Sequence, residues 1–213
     1  KRSRTWVKWS MEESVAAAGQ TGTMPLALLW MSRDQESAAD IAAIRDWTRH
    51  DVYLSLLSGA KGILVYSGWN KRAGFSEHYS DFLDGYLSAA YELNIAPGLA
   101  KIFLHGTPGF DVTAEVITGP AVQQFDYQKT SYEYPTLSYQ QLELDGQQYL
   151  FLINSANEPC TIRVTGLPEG VEILNGFNNQ AKSLSAKEQL TMHAYEVVAL
   201  KWQPAADSIE PTD

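Results

Sequence analysis

The sequence predicts an α/β segment followed by an all-β segment, and three features carry that prediction. Two apolar runs of strand length, Met24-Pro25-Leu26-Ala27-Leu28-Leu29-Trp30-Met31 and Ile63-Leu64-Val65-Tyr66, show no polar alternation; this is the pattern of strands covered on both faces in a parallel sheet. Stretches with helical spacing precede, separate and follow these runs, which gives the order helix, strand, helix, strand, helix of a parallel right-handed βαβ unit with flanking helices. From about His105 onward the pattern changes to short alternating strands divided by turn residues, as in an antiparallel β-sandwich of about a hundred residues.

Each element has its own signals. Ser10, with Glu13 three residues later, reads as a capping box that opens a helix over 10–18, with Trp6 and Trp9 as packing residues just before it. Ser37 caps the next helix with Asp40 three residues on, Ile41 and Ile44 share a face, and Trp47 lies close by. A break near 49–51 separates it from a helix carrying Val52, Leu56 and Leu57. That helix stops at Gly59, a residue suited to the left-handed position past a helix end, and Gly62 allows helix and strand to approach. Ser76 then caps a helix on which Tyr79, Phe82, Leu83, Tyr86, Leu87, Ala90 and Leu93 form one face, closed by Asn94 and Pro97. Two strands alone leave unpaired edges, so further strands are expected beside them. In the second half, strands are expected at 112–118, 137–144, 147–153, 161–164, 171–174, 190–192 and 194–202. Asp145-Gly146 is a two-residue hairpin signature, Asn175-Gly176 is another turn, and Pro159, Pro168 and Gly170 fall between strands. The polar, acidic tail at 204–213 is expected to be loose.

Composition narrows the function classes. Hydrophobic residues make up 45% of the 213 and charged residues 19%, a globular balance. A net charge of −9 repels phosphate backbones and argues against nucleic acid as a partner. No apolar run approaches the roughly 20 residues of a membrane span. Cys160 is the lone cysteine, so neither an intrachain disulfide nor a cysteine-based metal cluster is available. His50, His78, His105 and His193 lack metal-ligand spacing and read as scattered residues; neither metal nor cofactor is expected. A glycine-rich phosphate loop and a Gly-x-Ser-x-Gly elbow are both missing.

Two groups of residues carry a family resemblance. The run R-H-D-V-Y-L-S-L-L-S-G-A-K-G-I-L-V-Y-S, ending in G-W-N, resembles the passage from seventh helix to eighth strand in (β/α)8-barrel glycoside hydrolases, the broad group that includes family 42 β-galactosidases and family 5 enzymes. The patterns G-Q-Q-Y-L-F-L-I-N-S-A, T-I-R-V-T-G-L and M-H-A-Y-E-V-V-A-L are similar to the C-terminal sandwich appended to many such barrels. The resemblance implies the last βα units of a TIM barrel over 1–103, a β-sandwich over 104–203 and a tail over 204–213. It also implies a carbohydrate substrate, hydrolysis of O-glycosidic bonds and a setting that leans towards secreted or periplasmic. A complete barrel takes at least about 200 residues, so this chain is expected to be the C-terminal portion of a longer polypeptide whose N-terminal part supplies the remaining strands. A non-catalytic carbohydrate-binding protein on the same scaffold, and a self-contained α+β protein, are the rival readings.

Glycoside hydrolysis uses two carboxyl groups, and the resembled barrels place a Glu at the end of the seventh strand. No Glu stands near Trp30 to Ser32 here; the nearest carboxylates are Asp34 and Glu36. Three explanations stay open: Asp34 reaches the rim, the catalytic pair sits on strands outside this chain, or catalysis has been lost. Asp34 is retained as a candidate, although acids also suit a helix N-terminus. Trp69 follows the second strand, where a barrel pocket opens, and its face suits a sugar ring while Asn70 bonds hydroxyls; packing beneath the next loop is the alternative. Trp30 and Arg33 occupy the equivalent end of the first strand.

Overall fold

In the computed structural model, which describes residues 4–30, 37–66, 78–95, 99–174 and 189–204, the first part of the chain is mainly helical. It runs α1 (Thr5–Thr21), β1 (Ala27–Trp30), α2 (Ala38–Ala42), α3 (Ile44–Leu57), β2 (Ile63–Tyr66), α4 (Tyr79–Asn94) and α5 (Ala100–His105). Strands β1 and β2 pair in parallel, from Ala27 opposite Ile63 to Trp30 opposite Tyr66. This is the expected crossover pair. Alternate residues point to opposite faces of a strand, and here the faces differ. Ala27 and Leu29 are buried in the helical core with Ile63 packed against them, whereas Leu28 (51% exposed), Leu64 (53%) and Tyr66 (51%) face outward.

The rest of the chain is antiparallel sheet. It comprises β3 (Thr107–Gly109), β4 (Thr113–Thr118), β5 (Val122–Tyr127), β6 (Thr130–Pro135), β7 (Leu137–Leu144), β8 (Gln147–Asn154), β9 (Cys160–Thr165), β10 (Glu172–Ile173), β11 (Gln189–Met192) and β12 (Val197–Trp202). One sheet has the order β10-β12-β8-β7-β3, a second β11-β9-β4, and β5 and β6 form a separate hairpin. The first two sheets share an apolar core: Leu150, Leu152, Val198 and Leu200 from one meet Ile162, Val164, Leu190 and Met192 from the other. The alternate residues of the same strands, Phe151, Ile153, Val197 and Ala199, enter the helical core instead. Strand β8 is therefore covered on both faces, which explains why Tyr149-Leu150-Phe151-Leu152-Ile153 is apolar without alternation. The Phe103 ring of α5 lies 4.5 Å from that of Phe151 and joins the layers.

Several expectations are corrected. Helix α1 starts at Thr5 after Arg4, and Ser10, inside it, donates its hydroxyl to the Val7 carbonyl at 3.0 Å, so no capping box forms there. Trp6 and Trp9 are helical, and Trp9 packs on the β5–β6 hairpin with its ring 4.8 Å from Tyr127 and 5.0 Å from Tyr132. The break expected at 49–51 lies at Ala43, and α3 passes through Arg49, His50 and Asp51 without interruption. On α4 the buried stripe is Phe82, Gly85, Tyr86, Ala89 and Leu93; Leu87 and Ala90 face solvent. A methyl at Gly85 would overlap the Thr48 hydroxyl, so this glycine sets the approach of α4 to α3. Strand β12 begins at Val197 because Ala194 and Tyr195 form a turn. Strand β3, helix α5 and the β5–β6 hairpin were not anticipated. The turn signal Asn175-Gly176, the cap Ser76 and Pro97 lie outside the described residues. Ser37 does cap α2, its oxygen accepting from the Asp40 amide at 3.2 Å, and Gly59 does follow α3 with φ +99°.

Candidate functional site

The site expected from sequence lies at the C-terminal ends of β1 and β2. Trp30 and Tyr66 are register partners and the last residues of their strands, so both strands finish level at one edge of the ladder. Trp30 is described only as the backbone end of β1; Arg33, Asp34, Trp69 and Asn70 lie outside the described residues. Tyr66, not singled out as a ligand from sequence, stands at this edge on the open apolar face. The four-residue apolar run in which it is the last was the signal that could have marked it.

A second constellation was missed. His50 sits at the centre of a buried polar chain. Arg4 Nη1 donates to Asp51 Oδ2 at 2.7 Å, His50 Nδ1 is 2.9 Å from Asp51 Oδ1, and His50 Nε2 is 2.8 Å from Ser155 Oγ. A carboxylate only accepts, so Nδ1 carries the proton and Nε2 of the neutral ring accepts from the Ser155 hydroxyl. The Arg4 guanidinium lies over the Trp47 ring at 4.6 Å, and the edge of Tyr195, held at φ +58°, meets His50 at 5.9 Å.

The serine, imidazole and carboxylate follow the order of a nucleophile, its base and the group that orients the base. Access decides against that use: His50 is 0% exposed, Ser155 1% and Asp51 5%. The cluster is instead the polar joint between α3 and the sheets. Asn154 completes it by donating from Nδ2 to the carbonyls of Glu158 (3.1 Å) and His193 (2.8 Å), while its Oδ1 accepts from the Ala156 amide. Glu196 accepts the His193 amide proton at 2.7 Å. The quoted R-H-D, L-I-N-S and H-A-Y-E-V segments thus converge on one junction. Burial holds the His50 imidazole below its ordinary 6.5; the Asp51 hydrogen bond and charge oppose this and Arg4 adds to it.

A smaller network ties α3 to α4. Arg49 Nε donates to Glu92 Oε2 at 2.9 Å and the Tyr53 hydroxyl donates to the same oxygen at 3.2 Å. Burial nevertheless raises the Glu92 carboxyl above its ordinary 4.5, with Arg49 pulling the other way. Outside it, α2, α3 and α4 enclose an open groove of about 930 Å³ bordered by Ile41, Arg45, Asp84, Leu87 and Tyr91; its lining includes no residue of β1 or β2. Among the described residues no three His, Cys, Asp or Glu side chains are grouped to hold a metal ion. No helix among them is long and apolar enough to cross a membrane.

No protein-family model matches the chain, and comparison with curated proteins finds no match. In backbone the chain is similar to Eubacterium rectale Amy13B (12% identity, TM-score 0.47, 93% of this chain and 43% of that one). It is also similar to CldA, described as a cyclomaltodextrin glucanotransferase with a three-domain ABC distribution (12%, TM-score 0.49, 93% and 44%), and to the α-amylase of H. orenii (14%, TM-score 0.47, 92% and 46%). The chain spans less than half the length of each of these three.

Proposed function

We propose that this chain is the C-terminal portion of a glycoside hydrolase that acts on O-glycosidic bonds of an oligo- or polysaccharide. In this reading residues 1–103 are the last βα units of a (β/α)8 barrel of the family 42 or family 5 type, 104–203 are a β-sandwich, and 204–213 are a tail. The observation that carries it is the open β1–β2 ladder. On its helix-facing side Ala27 and Leu29 are buried, Ile63 is half-buried and Val65 is 38% exposed, while Leu28, Leu64 and Tyr66 present a half-exposed apolar face, with Met24 and Leu26 exposed beside them. Burying such side chains contributes on the order of 1 kcal/mol each, and a parallel pair gains the missing cover and edge partners when further strands lie beside it. The five-stranded sheet does not supply that cover, because it packs on α3 and α5.

Active sites of such barrels form at the C-terminal ends of the strands. β1 and β2 end level at Trp30 and Tyr66, which supports a reading in which the sequence following each strand contributes to one sugar pocket. Trp69 offers a stacking face, Asn70 and Arg33 bond hydroxyls, Trp30 extends the apolar wall, and Asp34 is the carboxylate candidate. The rest of the barrel supplies the remaining catalytic groups. The sequence 24–32 contains no Glu, which favours a non-catalytic carbohydrate-binding protein as the second reading.

A panel of aryl glycosides and oligosaccharides, offered to the intact gene product, separates these. Hydrolysis supports the enzyme, binding without turnover supports the second reading, and neither result sinks both. Trp69→Ala should weaken sugar affinity about tenfold, about 1.4 kcal/mol, with an unchanged melting temperature. Unchanged affinity with a lowered melting temperature would make Trp69 a packing residue.

A further inference from the structure

We propose that the Arg4–Asp51–His50–Ser155 chain is an acid-sensitive latch: protonation of His50 frees the helical layer from the turn after β8 while the two antiparallel sheets stay folded.

With His50 neutral the pocket holds one cation, Arg4, and one anion, Asp51, paired at 2.7 Å. A proton on the imidazole leaves a second cation in a site whose members are all nearly closed to water. The groups that face this site are Asp51 on α3, Arg4 ahead of α1, Ser155 in the turn after β8, Tyr195 in the turn before β12, and Tyr86 of α4, whose hydroxyl responds to Asp51 and Arg4. Of these only Asp51 is a carboxylate; Glu196, next to Tyr195 in the same junction, accepts the His193 amide and is not among the side chains bonded to His50. An uncompensated buried charge is relieved by admitting water or separating the layers.

The location decides which layers separate. His50 reaches across 105 residues of sequence to Ser155, so its bond is a direct tie between α3 and the sheets. Among the described residues, the core shared by the two antiparallel sheets is built from apolar side chains, with Cys160 among them. A proton therefore acts on one interface and not on the other.

The sign follows from linkage. A histidine whose folded value lies below 6.5 contributes stability that is fully present above 6.5 and is lost as pH falls towards the folded value. Glu92 and Asp46, both raised chiefly by burial, act in the opposite sense. Their contributions are present at low pH and lost as pH rises from 4.5 and 3.8, so they do not mimic the latch. One proton bounds the effect at tenfold per pH unit, or about 30-fold between pH 7.5 and 5.0.

The test is amide hydrogen exchange of the full-length protein, expressed as protection factors, from pH 7.5 to 5.0. Protection in the middle of α3 and at Ser155 and Ala156 should fall, by up to about 30-fold, with amides of β8, β9 and β12 unchanged. His50→Gln should flatten the response. The imidazole resonances of wild-type His50 in the closed protein should stay those of the neutral ring at pH 6.5, where protection is already falling, because the opened form takes up the proton first; this readout needs no variant. The proposal is overturned by equal loss across the sheets, by protection that is constant to pH 5.0, by a His50→Gln protein with the wild-type response, or by an imidazole that is already half-protonated in the closed protein at or above its ordinary 6.5.

Discussion

Asp51→Ala is expected to lower stability by about 3–5 kcal/mol, because it removes one member of a buried ion pair and leaves the other without compensation. Arg4 loses the oxygen 2.7 Å from its Nη1 and His50 loses the acceptor that fixes its tautomer. Arg4 lies over the Trp47 and Tyr195 rings, and His50 lies against Tyr195. Urea unfolding followed by circular dichroism checks this: the midpoint should fall sharply. A loss below about 1 kcal/mol, the range of exposed pairs, would show that the junction contributes no more than a surface contact.

Phe151→Ala is the second large effect, again about 3–5 kcal/mol for truncation of a buried aromatic side chain. Phe151 is fully buried and lies against Phe103. Its neighbours Leu150 and Leu152 point into the core between the sheets. The loss should therefore appear first as exposure of α3 and α5, measurable as faster proteolysis in 44–57 and 100–105, with the sheets still resistant. Equal loosening of both cores would contradict the two-sided covering of β8.

These two residues also show what a sequence discloses. The parallel pair was legible because β1 and β2 lack polar alternation, and the Asp145-Gly146 hairpin because its residues suit the observed positive φ of +52° and +72°. The β5–β6 turn adopts nearly the same conformation at Gln128 and Lys129, φ +47° and +69°, with residues that carry no such signal. Ser10 resembled a cap, yet α1 begins five positions before it, at Thr5, with Arg4 in the N-cap position. His50 looked isolated because one partner is its immediate neighbour and the other is remote in the chain, and spacing rules see neither arrangement. Of the strand-end candidates, Trp69, Asn70, Arg33 and Asp34 rest on the sequence, while the ladder shows that β1 and β2 end level at Trp30 and Tyr66.

The central claim is that β1 and β2 belong to a larger parallel sheet. Hydroxyl-radical footprinting read by mass spectrometry tests it, by comparing residues 1–213 alone with the intact gene product. The account predicts that Leu28, Leu64 and Tyr66, about half exposed in the chain alone, become protected several-fold in the intact protein, while Phe110, 88% exposed on the far β segment, stays reactive. Equal labelling of Leu28, Leu64 and Tyr66 in both samples would contradict it.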